Sequence, residues 1–329
     1  MNRNWYCGLA AAVAMTGTVL ATNTLAQEKP ADFPERPINL VVMYPAGGGM
    51  DVTARTFAKV AEEQMGVSIR VENRVGGGGM VGHTTLAKET EPDAYTIGLL
   101  ANPFLYTDIL LRDAPFAIEE FEPFAQINFD PVVLAVNTDA NPDADFAALM
   151  ATAKTEQLNV GINPDSVFQF VMEFVQDAND VEFNFIPFDG GKAGVVALLA
   201  GDIDVTTGFY AEMSQYFESG DLKPIAISGD ERHPLMPDVP TLAELGVPVK
   251  GQAWGVTRYV TVPPGTPEDR VAYLEAEFVK VLQSPEAAEA FKAAGLTIQA
   301  ADAEKTKARY IESFEALKTF LVESGRASQ

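Results

Sequence analysis

Short apolar runs rich in β-branched residues alternate along this chain with longer stretches whose apolar positions recur every three or four residues. Ile38, Leu40, Val41, Val42 and Met43 form a nearly continuous run around Asn39, as in a strand covered on both faces. A helical pattern follows over 51–65, then a strand over 68–71, a helix over 80–89 and a strand over 95–100. Further strands are expected at 132–136, 158–162, 183–186, 204–209 and 224–228, with helical segments between most of them. Such strand–helix repetition predicts an α/β protein with parallel sheets. The tail is helical. Pro267, Glu268 and Asp269 open a helix with acids in its first turn, where the macrodipole favours them. Val271, Leu274, Phe278 and Val281 recur at helical spacing, as do Tyr310, Phe314, Leu317 and Leu321 in a last helix that Asp302 can cap. These stripes read as core packing.

The N-terminus follows a different plan. Asn2, Arg3 and Asn4 make a short basic start, residues 8–21 are apolar and small, and Ala26 stands before Gln27. This is the layout of a cleaved secretory signal over 1–26. About 14 apolar residues fall short of the ~20 that cross a bilayer. Cys7 precedes the apolar stretch, where a lipid-bearing cysteine would follow it. An exported chain without cysteine must rest on its core, and a bacterial periplasm is the expected compartment.

Composition narrows the classes further. The 329 residues are 47% hydrophobic, enough for one large or two medium domains. Acids outnumber bases 46 to 23, and a net charge of −23 repels nucleic acid and anionic membrane surfaces. One cysteine and two histidines leave no disulfide framework, no cysteine-rich metal centre and little His-centred catalysis. No metal or cofactor is expected. The acid excess reads as surface solvation suited to salty surroundings.

Candidate chemistry lies in three glycine-rich turns, each placed between a strand and a helix. The first is Tyr44-Pro45-Ala46-Gly47-Gly48-Gly49-Met50-Asp51. The second is Gly76-Gly77-Gly78-Gly79-Met80-Val81-Gly82, and the third is Pro187-Phe188-Asp189-Gly190-Gly191-Lys192-Ala193-Gly194. Glycine lets the backbone approach a ligand closely, and a helix start presents free N–H groups to an anion. In open α/β sheets ligands bind at the carboxyl ends of strands, where these turns fall. Together they point to an anionic or strongly polar ligand.

Enzyme motifs fit poorly. Gly77, Gly79 and Gly82 have the dinucleotide spacing, but they follow the second strand, and Leu99 and Leu100 stand where the ribose-binding acid belongs. Lys192 is followed by Ala193, so no phosphate loop forms, and neither a G-x-S-x-G elbow nor an H-E-x-x-H helix occurs. His83 and His233 read as surface or capping residues. An exported α/β enzyme acting on an acidic substrate stays open only if one histidine meets a hydroxyl in a cleft.

Several segments, taken in order, carry a resemblance. Phe33-Pro34-Glu35-Arg36-Pro37-Ile38 leads to the first glycine turn, and Val71-Glu72-Asn73-Arg74 to the second. Pro92-Asp93-Ala94-Tyr95-Thr96, Leu199-Ala200-Gly201-Asp202-Ile203-Asp204 and the stretch from Pro237 to Gly246 follow, then Val262-Pro263-Pro264-Gly265-Thr266-Pro267. The chain resembles the periplasmic receptors of tripartite tricarboxylate transporters, the Bordetella uptake receptor family. The resemblance implies a two-lobed periplasmic binding protein (a Venus flytrap), each lobe a sheet flanked by helices, with two crossover strands as hinge. It places lobe one at 30–131 plus 254–329 and lobe two at 132–253. It implies a non-enzymatic monomer that takes a small organic carboxylate, a di- or tricarboxylate, and delivers it to integral-membrane permease subunits. Carried over by position, the ligand contacts are Tyr44, Gly47, Gly48, Gly49, Met50 and Asp51 in lobe one, and Phe188, Asp189, Gly190 and Gly191 in lobe two. Asn163 and Ser166 are further candidates. Met50 stands where the family usually has threonine, and Phe188-Asp189 where many members have Tyr-Lys. Asp189 either caps a helix or faces a hydroxyl or ammonium of the ligand, and Asp51 has the same two readings. A zwitterionic or aromatic acid therefore stays open beside a simple carboxylate.

Overall fold

The computed structural model describes residues 29–140, 144–188 and 191–327. The expected signal segment lies outside them, as do Asp189 and Gly190.

Two five-stranded sheets organise the chain. The first has the order β2-β1-β3-β10-β4, with β1 (Ile38–Val42), β2 (Ile69–Asn73), β3 (Thr96–Asn102), β4 (Glu122–Pro131) and β10 (Gly255–Val262). The second has the order β7-β6-β8-β5-β9, with β5 (Val133–Asn137), β6 (Asn159–Ile162), β7 (Asn184–Pro187), β8 (Val205–Gly208) and β9 (Leu222–Ile227). The sheets are mixed, which corrects the parallel expectation. β1 pairs parallel with β2 and β3, but β10 runs antiparallel to both β3 and β4. In the second sheet β5 runs antiparallel to β8 and β9. In each sheet the reversed strand is the one that enters from the other half of the molecule. Two lobes that exchange the chain twice need such strands.

Helices cover both faces. α1 (Gly49–Met65) lays Ala54, Phe57, Ala58 and Ala61 against the first sheet and stops at Gly66, whose φ of +68° suits glycine. α8 (Glu268–Leu282) and α9 (Pro285–Ala293) share that face, and Phe57, Phe124 and Phe278 meet there. α2 (Met80–Lys88) and α3 (Phe104–Leu111) follow β2 and β3. α4 (Phe146–Ala153), α5 (Val167–Asn179), α6 (Gly191–Ala200) and α7 (Tyr210–Ser219) flank the second sheet.

α10 (Ala303–Glu323) spans the two lobes. Asp302 caps it by accepting from the Lys305 N–H at 2.9 Å, as the sequence anticipated. Tyr310 packs against Tyr106 and Tyr259 of the first lobe at ring distances of 5.6 and 5.8 Å. One turn short of its end, Phe320 packs on Phe170 and Phe174 of α5 and on Trp254. Arg326 then pairs with Glu173 at 2.6 Å.

The chain crosses between sheets after Pro131 and again before Gly255, which sit opposite each other in the β4–β10 pairing. Ser228, fully buried, ties the two crossings together. Its N–H donates to the Val132 carbonyl, its Oγ accepts from the Val132 N–H, both at 2.9 Å, and its hydroxyl donates to the Trp254 carbonyl. Position 255 must be glycine for packing reasons, because a β-carbon there would lie 2.6 Å from the Asp130 carbonyl oxygen.

Candidate functional site

β1 ends at Val42, and the chain turns through Tyr44 to Gly48 into α1. Asp51, in the first turn of that helix, reaches back to accept the Gly47 N–H at 2.9 Å. Arg55, one turn on, holds both Asp51 oxygens with its Nε at 3.0 Å and reaches Asn73 of β2 at 3.0 Å. Asn73 donates to the Tyr44 carbonyl at 3.0 Å, which fastens the turn to the neighbouring strand. Burial works against the Asp51 charge, but Arg55, the Gly47 N–H and Asn73 outweigh it and hold its carboxyl below the usual carboxylate range. Asp51 thus shapes the loop from within, with 4% of its surface exposed. Met50 is buried in the apolar cluster of the first lobe. What the first turn offers outward is the backbone of Gly47, Gly48 and Gly49, all exposed, at the start of a 17-residue helix whose first N–H groups have no intrahelical partner.

The second turn is built differently. Gly76, Gly77, Gly78 and Gly79 have φ of +146°, +59°, +73° and +116°, a path closed to ordinary L-residues. Each is also crowded from beneath: Arg112 lies under Gly78, and Tyr44 and His83 under Gly79. His83 is fully buried, ringed by Tyr44, Phe116 and Phe121 at 6.2, 5.7 and 6.1 Å. Its Nδ1 stands 3.7 Å from an Asp108 oxygen, so it is neither a surface nor a capping residue. Helix α2 turns that face inward because Gly82 lets it sit directly on Met43. The Tyr44 hydroxyl points into this same cluster and has no hydrogen-bond partner among the described residues. Burial pushes its pKa up, the Asp108 charge adds to this, and Arg112 opposes it.

In the second lobe, Phe188 leans over Gly161 and Gly194, where any side chain would collide with it or with its neighbours. Its carbonyl accepts from Asn163 at 3.2 Å, linking the turn after β6 to the turn after β7. Ser166 caps α5, accepting from the Phe168 N–H at 3.3 Å and donating to the Asn163 carbonyl at 2.6 Å. Gly191 begins α6, and the space a β-carbon would take there is filled by the Glu212 carboxylate. Asn163, Ser166 and Phe188 therefore form one connected wall, and Gly191 sits against Glu212.

Four residues of this region went unnoticed in the sequence. Glu212, in α7, accepts the Phe209 N–H at 3.0 Å, and burial pushes its carboxyl up. Phe209 stacks on Phe168 at 4.9 Å and also packs against the apolar cluster beneath α1. Arg258, 4% exposed on β10, pairs with Asp130 at 2.5 Å and lies against Gly49. The available signal was a lone arginine inside the apolar run Val256 to Val262. Nearby, an open groove of about 430 Å³ separates Tyr210, Ser214 and Glu218 of α7 from Lys292 and Gly295 at the end of α9. His233 is buried against Tyr210 at 5.1 Å, and its Nδ1 accepts the Leu235 N–H at 3.3 Å. That is a turn-capping role. Among the described residues, no group of three or more His, Cys, Asp or Glu side chains is placed to hold a metal ion.

Known proteins match along most of the chain. The model of the tripartite tricarboxylate transporter family receptor matches residues 53–323. Protein BugT of Bordetella pertussis is 30% identical over 302 residues, 90% of this chain and 91% of the relative. A TctC solute-binding protein from Polaromonas, solved without ligand, superposes with a TM-score of 0.77 at 29% identity, over 88% of this chain and 99% of that one. An R. palustris protein solved with adipate has the same fold, with a TM-score of 0.74 at 24% identity over 90% and 99%. This chain belongs to the tripartite tricarboxylate transporter receptors, a family of substrate-binding proteins rather than enzymes.

Proposed function

We propose that this chain is a periplasmic receptor that captures a small organic carboxylate, a di- or tricarboxylate, between its lobes and delivers it to the integral-membrane subunits of a tripartite permease. The observation that carries this reading is the exposed Gly47–Gly49 backbone at the start of α1, at the carboxyl end of β1. A carboxylate there meets the N–H groups of the first helical turn, from Gly49 on, because those of Gly47 and Gly48 are held by Asp51 and the Pro45 carbonyl, and it meets the positive end of a helix dipole. Contact of that kind outweighs the unfavourable net charge, which ~0.15 M salt screens beyond ~8 Å. Lobe one (30–131 plus 254–329) supplies this first contact. Lobe two (132–253) closes over it with the wall of Asn163, Ser166 and Phe188, and the sequence adds Asp189, Gly190 and Gly191 as candidate contacts. Ligand shifts the hinge because only the closed form satisfies donors from both lobes. The N-terminal segment 1–26 directs export and is removed.

Residues 27–329, purified, are tested by thermal shift and isothermal titration. The panel holds di- and tricarboxylates, aromatic acids, acidic amino acids and neutral sugars. A saturable response to a di- or tricarboxylate is expected. A response confined to a sugar or an amine overturns the reading.

A further inference from the structure

A buried ion pair lies at the foot of the first glycine turn. Arg258 stands in the middle of β10, cross-strand from Asn128 of β4. Its Nη1 donates to an Asp130 oxygen at 2.5 Å, and Asp130 also accepts from the Asn128 amide at 3.2 Å. Its Nη2 lies 3.1 Å from where a β-carbon on Gly49 would sit, so the guanidinium is pressed against the first turn of α1. Its Nε is buried without a partner among the described residues. A guanidinium carries five N–H donors in a planar fork that matches a carboxylate two at a time. Arg258 spends one of them on Asp130 among the described residues, and its Nη2 lies beside the first turn of α1.

Asp130 has a second outlook. It stands one residue before the end of β4, at the first crossing between lobes, where its charge bears on Glu212 of α7 and on His233. It thus belongs to the hinge as much as to the sheet. A buried arginine left with no counter-charge is strongly unfavourable, so an empty receptor needs some acid at this place.

We propose that Arg258 is the guanidinium that takes the ligand's carboxylate at the first glycine turn, and that Asp130 occupies it in the empty receptor. This rests on the carboxylate-receptor reading and adds a specificity-determining residue to it. An arriving carboxylate bonds the helix-start N–H groups and two donors of the Arg258 fork at once. In doing so it displaces Asp130, so ligand and Asp130 compete for one cation. The fork selects a planar carboxylate over a neutral ligand, and its place under Gly49 fixes that group's orientation.

The test is isothermal titration of adipate and of malate into wild type, Asp130→Asn and Arg258→Lys, each shown folded by circular dichroism and melting. Removing the competitor, Asp130→Asn should bind whichever acid wild type binds about tenfold more tightly. Arg258→Lys keeps the charge but loses the planar fork, and should bind it about a hundredfold more weakly. Unchanged or weaker binding by Asp130→Asn makes the pair a structural hinge contact and overturns the proposal, and this variant decides alone should Arg258→Lys not fold. Wild type binding no acid of the wider panel removes the receptor reading itself, an outcome distinct from wild type binding while the variants do not differ from it.

Discussion

At the residue scale, the decisive distinction is between acids used up inside the fold and charges left over for something else. Asp51 is of the first kind: the Gly47 N–H and Arg55 absorb its lone pairs. Asp51→Asn should therefore destabilise the protein by about 1–2 kcal/mol at pH 7, since it removes charge-assisted bonds from a buried site. The folded pKa is depressed, so this contribution is complete above the unfolded value of about 3.9 and is lost as pH falls through the lower folded value. Melts of both proteins across that range should show the gap narrowing in acid and nowhere else. The sequence left Asp51 poised between cap and counter-charge because an aspartate at a helix start suits both, and the choice depends on Asn73 and Arg55 being within reach. Arg258 was harder to see. Its meaning comes from Asp130 and Gly49, 128 and 209 positions away, which only the β4–β10 pairing and the seat of α1 bring together.

At the element scale, the three glycine turns looked alike in sequence and differ in the structure. The first leaves its backbone open. The second has its positive φ angles and tight packing from beneath as sufficient cause for all four glycines. Gly79→Ala combines a strained φ of +116° with a β-carbon 3.0 Å from the His83 ring, and should cost about 3 kcal/mol of stability by denaturant melts. The same change should leave carboxylate affinity within about twofold, as far as the first turn alone sets that affinity. Strands with continuous apolar runs, such as 38–43, were legible from pattern. β4 was not, because Pro123, Gln126, Asn128 and Asp130 interrupt its run while the long β10 beside it supplies the pairing. Nor could periodicity reveal that β10 and β5 are reversed. Strand direction is a property of how the chain returns, and it carries no local mark.

At the scale of the whole molecule, 46 acids against 23 bases set a self-repulsion that no single pair relieves. Raising salt from about 0.05 to 1 M shortens the screening length from over 10 Å to about 3 Å, so the melting temperature should rise with NaCl. A flat response would count against surface repulsion as a significant load on the fold. The two-lobed plan was readable through the order of family-like segments, whereas composition and periodicity reached only as far as α/β. The element that completes that plan is α10, 21 residues and about 30 Å long. One part of it is set among Tyr106 and Tyr259, and its far end among Phe170, Phe174 and Trp254. A rod gripped by both halves forbids them to slide or draw apart, and leaves them to swing about a line beside it. Opening is then described by one angle, and small swings at the axle become large excursions at the distant rim. In the proposed receptor, the length of a trapped ligand would then set the angle at which the jaws come to rest.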